Sequence, residues 1–223
     1  MSDYSSARHN MVESQIRPNE VTDAYLLHAL QVVPREEFVP AGLRALAYME
    51  NEITVQQGSS ANGDRRLIAP MPLAKLIHLA EVEKSDLVLD IGCATGYSTA
   101  LLASMAESVV GLESDPGLAE QASQTLTELG IDNAAVVSGT LPDGYAAEGP
   151  FDVILVGGCV TEVPPGLLKQ LKDGGRLVAI IAEDDFGRAT IFRNSGGRIS
   201  QRTSFDAGAP ALPGFEAEAS FVF

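Results

Sequence analysis

The chain has 223 residues, enough for one full α/β domain with an appended segment and a sizeable core. Hydrophobic residues make up 45% and charged residues 20%, a globular rather than a disordered composition. A formal net charge of −15 argues against a general basic face for nucleic acid or anionic membrane, and two cysteines are too few for a disulfide framework.

The opening "MSDYSSARHN" lacks the charged-then-apolar order of a signal peptide, and no apolar run approaches the roughly 20 residues that span a bilayer, so a cytoplasmic protein is expected. His9, His28 and His78 share no ligand spacing with Cys93 and Cys159, which points away from a metal.

Residues 9–33 carry apolar positions at helical spacing (Met11, Val12, Ile16, then Leu26, Leu27, Leu30, Val33). The run is broken at Pro18, and Thr22 is the expected N-cap of a second helix. "VPREEFVP" (33–40) and "AGLRALAY" (41–48) continue as short helix-rich pieces. "NEITVQQGSSANGDRR" (51–66) is polar and rich in turn formers, and reads as a mobile loop, a candidate lid. "PLAKLIHLAEV" (72–82) predicts a helix with one apolar face.

Beyond it, strands alternate with helices. Strands are predicted at 87–91, 108–114, 134–139, 151–158 and 176–182, and helical segments at 98–105, 117–130 and 164–175. Residues 189–205 predict a hairpin around "NSGG", and "SFDAGAPALPGF" (204–215) reads as a surface tail covering the sheet edge. The alternation implies an α/β fold: a doubly wound, mostly parallel sheet with an antiparallel end, binding its ligand at the carboxyl ends of the strands.

The ligand turn is "VLDIGCATGYST" (88–99), which runs from a buried strand into two glycines. Gly92 and Gly96 frame the turn, Asp90 precedes it, and Glu113 stands 21 positions after Gly92 at the end of the second strand. An acid there accepts hydrogen bonds from both hydroxyls of a ribose. A dinucleotide turn wants G-x-G-x-x-G, but Ala94 holds the middle position; a P-loop wants Lys followed by Ser or Thr, where Tyr97 and Ser98 stand. The alternative for the two glycines is a plain tight turn. Cys93 and Cys159 read as small buried residues beside the ligand rather than as a redox pair.

"PFDVILVGG" with "LLKQLKDGGRLV" resembles the fourth strand, helix and fifth strand of S-adenosylmethionine-dependent methyltransferases. A closer likeness covers roughly residues 11–181. "MVESQIRPNEVTDAYLLHALQVVPREEFVP" resembles the opening helices of protein-L-isoaspartate O-methyltransferases, "ALAYMENEI" their "AY.D..L", and "VLDIGCATGYSTALLA" their "VLEIGTGSGYQAAVLA". The resemblance implies a Rossmann-like methyltransferase fold. Residues 1–70 would be a helical cap with the substrate loop, and residues 71–223 the domain that binds S-adenosyl-L-methionine and ends in the antiparallel hairpin. It assigns the methyl donor to Asp90, Gly92, Cys93, Gly96, Glu113, Gly139 and Thr140. The acceptor would be a protein or peptide carboxylate, methylated in the repair of damaged proteins, or a small acidic molecule.

Two stretches depart from the family pattern. Where the family has "QTIS.P", this chain has "RRLIAP" (65–70), so that Arg65, Arg66, Leu67 and Ile68 replace Gln, Thr, Ile and Ser. The acceptor-facing catalytic positions are therefore Arg66 and Ile68. The family's "GDG" becomes Gly139-Thr140, with Asp143 nearby. Methyl transfer to a carboxylate needs no general base, because the nucleophile is already ionised at neutral pH; the enzyme aligns the reactants and excludes water. Arg65 and Arg66 either grip an acidic substrate or are solvated loop charges. The rival readings are a methyltransferase for another acceptor and a donor-binding protein that transfers nothing.

Overall fold

The computed structural model describes residues 4–58, 63–183 and 186–216. Its N-terminal region is helical but irregular. Helix α1 (Ser5–Met11) passes into a π-helical turn (Val12–Ile16) and a 3₁₀ turn (Arg17–Asn19), and Glu20 closes the run in the left-handed region at φ 65°. Pro18, which lacks an N–H, prevents a continuous helix. Helix α2 (Ala24–Val32) is capped by Asp23, whose carboxylate accepts from the Leu26 N–H at 2.7 Å. The expected cap at Thr22 is one residue early, because it is the side chain at 23 that reaches this N–H. Two 3₁₀ segments, Arg35–Phe38 and Ala41–Leu46, form the short helical pieces that follow.

The stretch expected to be a loop is partly a ribbon. Strands β1 (Ile53–Gln56) and β2 (Arg65–Leu67) pair antiparallel, with Ile53 opposite Leu67 and Thr54 opposite Arg66. The β-branched run Ile53-Thr54-Val55 favours an extended chain over the turn chemistry around it. Residues 59–62 of the expected loop lie outside the described residues. Helix α3 (Pro70–Ala80) starts on a proline and turns Leu73, Leu76 and Ile77 inward.

The alternating part then builds one seven-stranded sheet. Its elements are β3 (Leu87–Ile91), α4 (Tyr97–Ala103), β4 (Ser108–Glu113), α5 (Pro116–Glu128), β5 (Ala134–Ser138), β6 (Phe151–Val160), α6 (Pro165–Leu168), β7 (Leu171–Glu183), β8 (Phe186–Ser195) and β9 (Arg198–Asp206). The strand order is β5-β4-β3-β6-β7-β8-β9, parallel as far as β7 and antiparallel from β7 to β9. Strand order reverses direction between β3 and β6, so the ligand crevice opens at their carboxyl ends. This is the expected doubly wound sheet with its hairpin.

Each face of the sheet buries its own apolar cluster. One joins the N-terminal helices to α3, α4 and the sheet through Met11, Leu26, Phe38, Leu76, Leu101 and Val88. The other gathers Leu89, Ile91, Val156 and Leu177 with Leu212 and Phe215 from the segment after β9. That segment is not the edge cover expected from sequence. It runs beside Cys159, whose N–H donates to the Pro210 carbonyl at 2.8 Å while the Leu212 N–H donates back to the Cys159 carbonyl at 3.0 Å. The Leu212 side chain thus lies on the bare faces of Gly92 and Gly158, where a Cβ would meet leucine carbons at 2.7 and 2.5 Å. Two apolar side chains in a polar-looking tail find more buried area at the ends of the central strands than at the sheet edge.

Asp90 staples β3 to α4. Its Oδ2 accepts from Ser98 Oγ at 2.7 Å and Thr99 Oγ1 at 2.6 Å, while Oδ1 is buried without a partner. Full burial, opposed by these two hydrogen bonds and reinforced by the nearby Glu113 charge, raises the Asp90 carboxyl from 3.8 to about 6.

Two outcomes are expected. A folded-state pKa above the unfolded one favours the fold at low pH, and this contribution disappears as pH rises through about 6. The stability of Asp90→Asn relative to the unsubstituted chain should therefore rise by roughly 2–3 kcal/mol between pH 4 and pH 7, read from urea unfolding. Leu212→Ala should lower stability by about 2–4 kcal/mol in the same assay, through the cavity left over Gly92 and Gly158.

Candidate functional site

The site is built around Glu113, the last residue of β4. Its side chain is fully buried at the carboxyl end of the sheet, and protein donors meet both of its oxygens. Oε1 accepts from the Ser114 N–H at 2.8 Å, the Ser114 hydroxyl at 3.1 Å and the Asp115 N–H at 3.2 Å. Oε2 accepts from the Ala94 N–H at 2.8 Å and from Arg65 Nη2 at 2.6 Å. An ionised carboxylate removed from water needs such a set of donors.

Arg65 arrives from the β1–β2 ribbon. Successive side chains of a strand point to opposite faces, so in β2 Arg65 and Leu67 are buried and Arg66 is exposed. Arg65 is 7% exposed, reaches the Gly92 carbonyl at 3.4 Å as well as Glu113, and leaves its Nε buried with no partner. Arg66 instead pairs with Glu52 at 3.5 Å and Asp64 at 3.3 Å on the outer face. Of the two candidate arginines, the structure turns Arg65 inward. Sequence reasoning missed it because only the ribbon register separates them; reading "ITV" and "RRL" as paired strands is the signal that finds it.

A cavity of about 710 Å³ opens beside this pair, lined among others by Gln56, Arg65, Ser114, Asp115, Gly139, Thr140, Leu141 and Pro213. Gly139 donates its N–H to the Glu113 carbonyl at 3.0 Å, which sets Gly139 and Thr140 against one wall. The ribbon is tied to the same wall, with Gln56 Nε2 donating to Asp115 Oδ2 at 3.1 Å. The volume and the mixture of polar rim with apolar Leu141, Pro142 and Pro213 suit a nucleoside-sized ligand.

A second, much smaller space of about 20 Å³ lies on the other side of the turn, where Arg35, Arg66, Leu67, Ile68, Gly92, Cys93, Ala94, Tyr97 and Gly157 meet. Ile68 is buried there, and its carbonyl accepts from Arg35 Nη2 at 2.7 Å. Arg35, unassigned from the sequence, is fully buried: its Nε donates to the Ala47 carbonyl at 2.8 Å, and its guanidinium lies 4.6 Å from the centre of the Tyr97 ring. Tyr97 also stacks edge-on against Phe38, with centroids 5.6 Å apart. Tyr97 is therefore part of the packing between cap and α4.

The turn residues have structural partners of their own. Gly92 (φ 77°) and Gly96 (φ 96°) adopt backbone that glycine favours, and a Cβ on Gly96 would press against Ala122 at 3.1 Å. Burial, with the charges of Asp90 and Glu113, pushes the Cys93 thiol well up, so it stays protonated and is a poor nucleophile. Cys159 is half-buried on the neighbouring strand, and both cysteines are free. Asp143 and Glu162 are exposed. Among the described residues no group of His, Cys, Asp and Glu is placed to hold a metal ion, and no helix is long and apolar enough to cross a membrane.

Residues 6–207 match the family model described as protein-L-isoaspartate(D-aspartate) O-methyltransferase. A protein-L-isoaspartate O-methyltransferase of Koribacter versatilis is 34% identical over 91% of this chain and 88% of its own length. One from Methanoculleus marisnigri is 37% identical over 77% of this chain and 76% of its own. Among solved structures, a protein-L-isoaspartate O-methyltransferase superposes with a TM-score of 0.80 at 24% identity, over 93% of this chain and 66% of that one. A Plasmodium falciparum structure, described as of this type and in complex with S-adenosyl-L-homocysteine, gives 0.76 at 22% identity, over 95% of this chain and 99% of that one. These two likenesses establish a shared fold, and the sequence match establishes descent: the chain belongs to the protein-L-isoaspartate(D-aspartate) O-methyltransferase family.

Proposed function

We propose that the chain is an S-adenosylmethionine-dependent methyltransferase that esterifies a carboxylate, with isoaspartyl residues of proteins as its acceptor class. The observation that carries this reading is the family match across residues 6–207. The large cavity supports the donor assignment, because it sets a buried acid, Glu113, beside a polar-rimmed space of nucleoside size. Bound there, the donor would supply a methyl group on a sulfonium for transfer to a carboxylate oxygen of the acceptor, with the bonding pair of the broken C–S bond left on sulfur and no proton to be moved.

The chain's own residues then have positioning tasks. Glu113 would accept a ribose hydroxyl on Oε2, which requires Arg65 to give up its place on that oxygen. Gly139 and Thr140 border the base, with Leu141 and Pro142 as apolar contacts. Gly92, Cys93 and Ala94 present main chain to the amino-acid end, and Asp90 holds that turn in shape. Ile68 contributes no hydrogen bond to an acceptor; with Leu67 and Leu73 it keeps water from the reacting atoms. Arg66 borders the small space beside Ile68 but is exposed and paired with Glu52 and Asp64, and so acts as a solvated charge.

A second reading, transfer to another acidic acceptor, is favoured by one observation: the space beside Ile68 holds only about 20 Å³ and offers no hydroxyl from Ile68.

Incubation with radiolabelled donor and an isoaspartyl peptide should give a base-labile methyl ester, and replacing Glu113 by Ala should cut this activity about 10- to 100-fold through loss of a charge-assisted hydrogen bond to the ribose. Absence of ester with the unsubstituted chain overturns the isoaspartyl assignment. Arg66→Ala should keep the rate within about twofold, since exposed ion pairs contribute little.

A further inference from the structure

We infer that Arg65 is an internal competitor for the methyl donor: its guanidinium occupies the acid that the donor's ribose uses, and so sets donor affinity. The inference rests on the donor reading above and adds to it a residue that determines how tightly the donor is held.

A carboxylate offers about four good lone-pair directions. At Glu113 three donors, the Ser114 and Asp115 N–H groups and the Ser114 hydroxyl, crowd Oε1, and two, the Ala94 N–H and Arg65 Nη2, fill the two directions of Oε2. The backbone donors are fixed by the turns after β3 and β4 and cannot leave without dismantling those turns. Arg65 is held by its side chain alone, at 2.6 Å, from a different element. A ribose hydroxyl reaching Oε2 therefore takes the place of the guanidinium.

Arg65 is also incompletely satisfied where it is. Its Nε is buried with no acceptor, and its second contact, to the Gly92 carbonyl, is long at 3.4 Å. A buried donor without a partner raises the energy of the closed arrangement and lessens the cost of leaving it. The exit is open, because Arg65 lines the wall of the 710 Å³ cavity. Glu113 does not become an orphan when Arg65 departs, since four donors remain on it. A neutral residue at 65 should therefore fold.

S-adenosylhomocysteine, which carries the same ribose without the sulfonium charge, is the probe for calorimetric titration of the unsubstituted chain, Arg65→Gln, Arg65→Met and Arg65→Lys, each checked by thermal melting. Removing the guanidinium should tighten binding at least ~10-fold in the Gln and Met variants, about 1.4 kcal/mol, while the Lys variant, still able to pair with Glu113, stays near the unsubstituted value. A merely structural role for Arg65 would weaken binding in Gln and Met instead.

In the unsubstituted chain, the side-chain ¹⁵N–¹H signals of Arg65, protected while it is paired, should exchange rapidly with solvent once the probe saturates the site. Equal or weaker binding by Gln and Met, or Arg65 signals unchanged at saturation, overturns the competition while leaving the donor site standing. No binding by any of the four proteins overturns the donor reading, and the competition with it.

Discussion

A carboxylate sealed from water at the end of a central strand is the constraint around which this molecule is arranged. Buried there, the Glu113 side chain needs hydrogen-bond donors, and it draws them from three directions: the turn after β3, the turn after its own strand, and the β1–β2 ribbon. Each is a separate stretch of sequence, and all three meet at this side chain, with Gln56–Asp115 and Arg65–Gly92 contacts beside it.

The cap is fastened to the opposite side of that turn by different chemistry. Arg35 reaches carbonyls at Ala47 and Ile68 while resting on Tyr97, and Thr95 donates to the Phe38 carbonyl at 2.6 Å. These bonds are buried and join residues far apart in sequence. They hold the cap as a fixed wall, continuous with the apolar cluster under α3 and α4. Arg8, Tyr48 and Glu36 form a further polar knot in the cap, Arg8 meeting Glu36 at 3.0 Å. In an acidic chain, the buried arginines thus act as internal fasteners rather than as a surface for anionic partners.

Much of this was legible before any coordinates. The stretch 87–91 is apolar but for Asp90 and runs into a glycine turn, which marks a short buried strand, and it appears with the same bounds. Glu113 stands out by its distance past the glycine turn, and the structure buries it at the end of β4. What escaped depends on pairing between remote segments. Whether Arg65 or Arg66 points inward is decided by the register of β2 on β1, and a shift of one residue would exchange them. Leu212 and Phe215 sit among glycines and prolines, whose polar, turn-like look conceals two buried anchors. Thr22 and Asp23 are both acceptable caps by residue type, and only the helix geometry chooses Asp23.

The seating of Leu212 on Gly92 and Gly158 has a consequence for how the protein is made. Translation delivers the glycine turn 120 residues ahead of the leucine that covers it. A nascent chain therefore presents the ends of its central strands uncovered until the segment after β9 leaves the ribosome. The ends of the central strands gain this cover only after the whole hairpin has been made, and premature termination in the hairpin would release a sheet with an exposed apolar end, a substrate for chaperones and proteases.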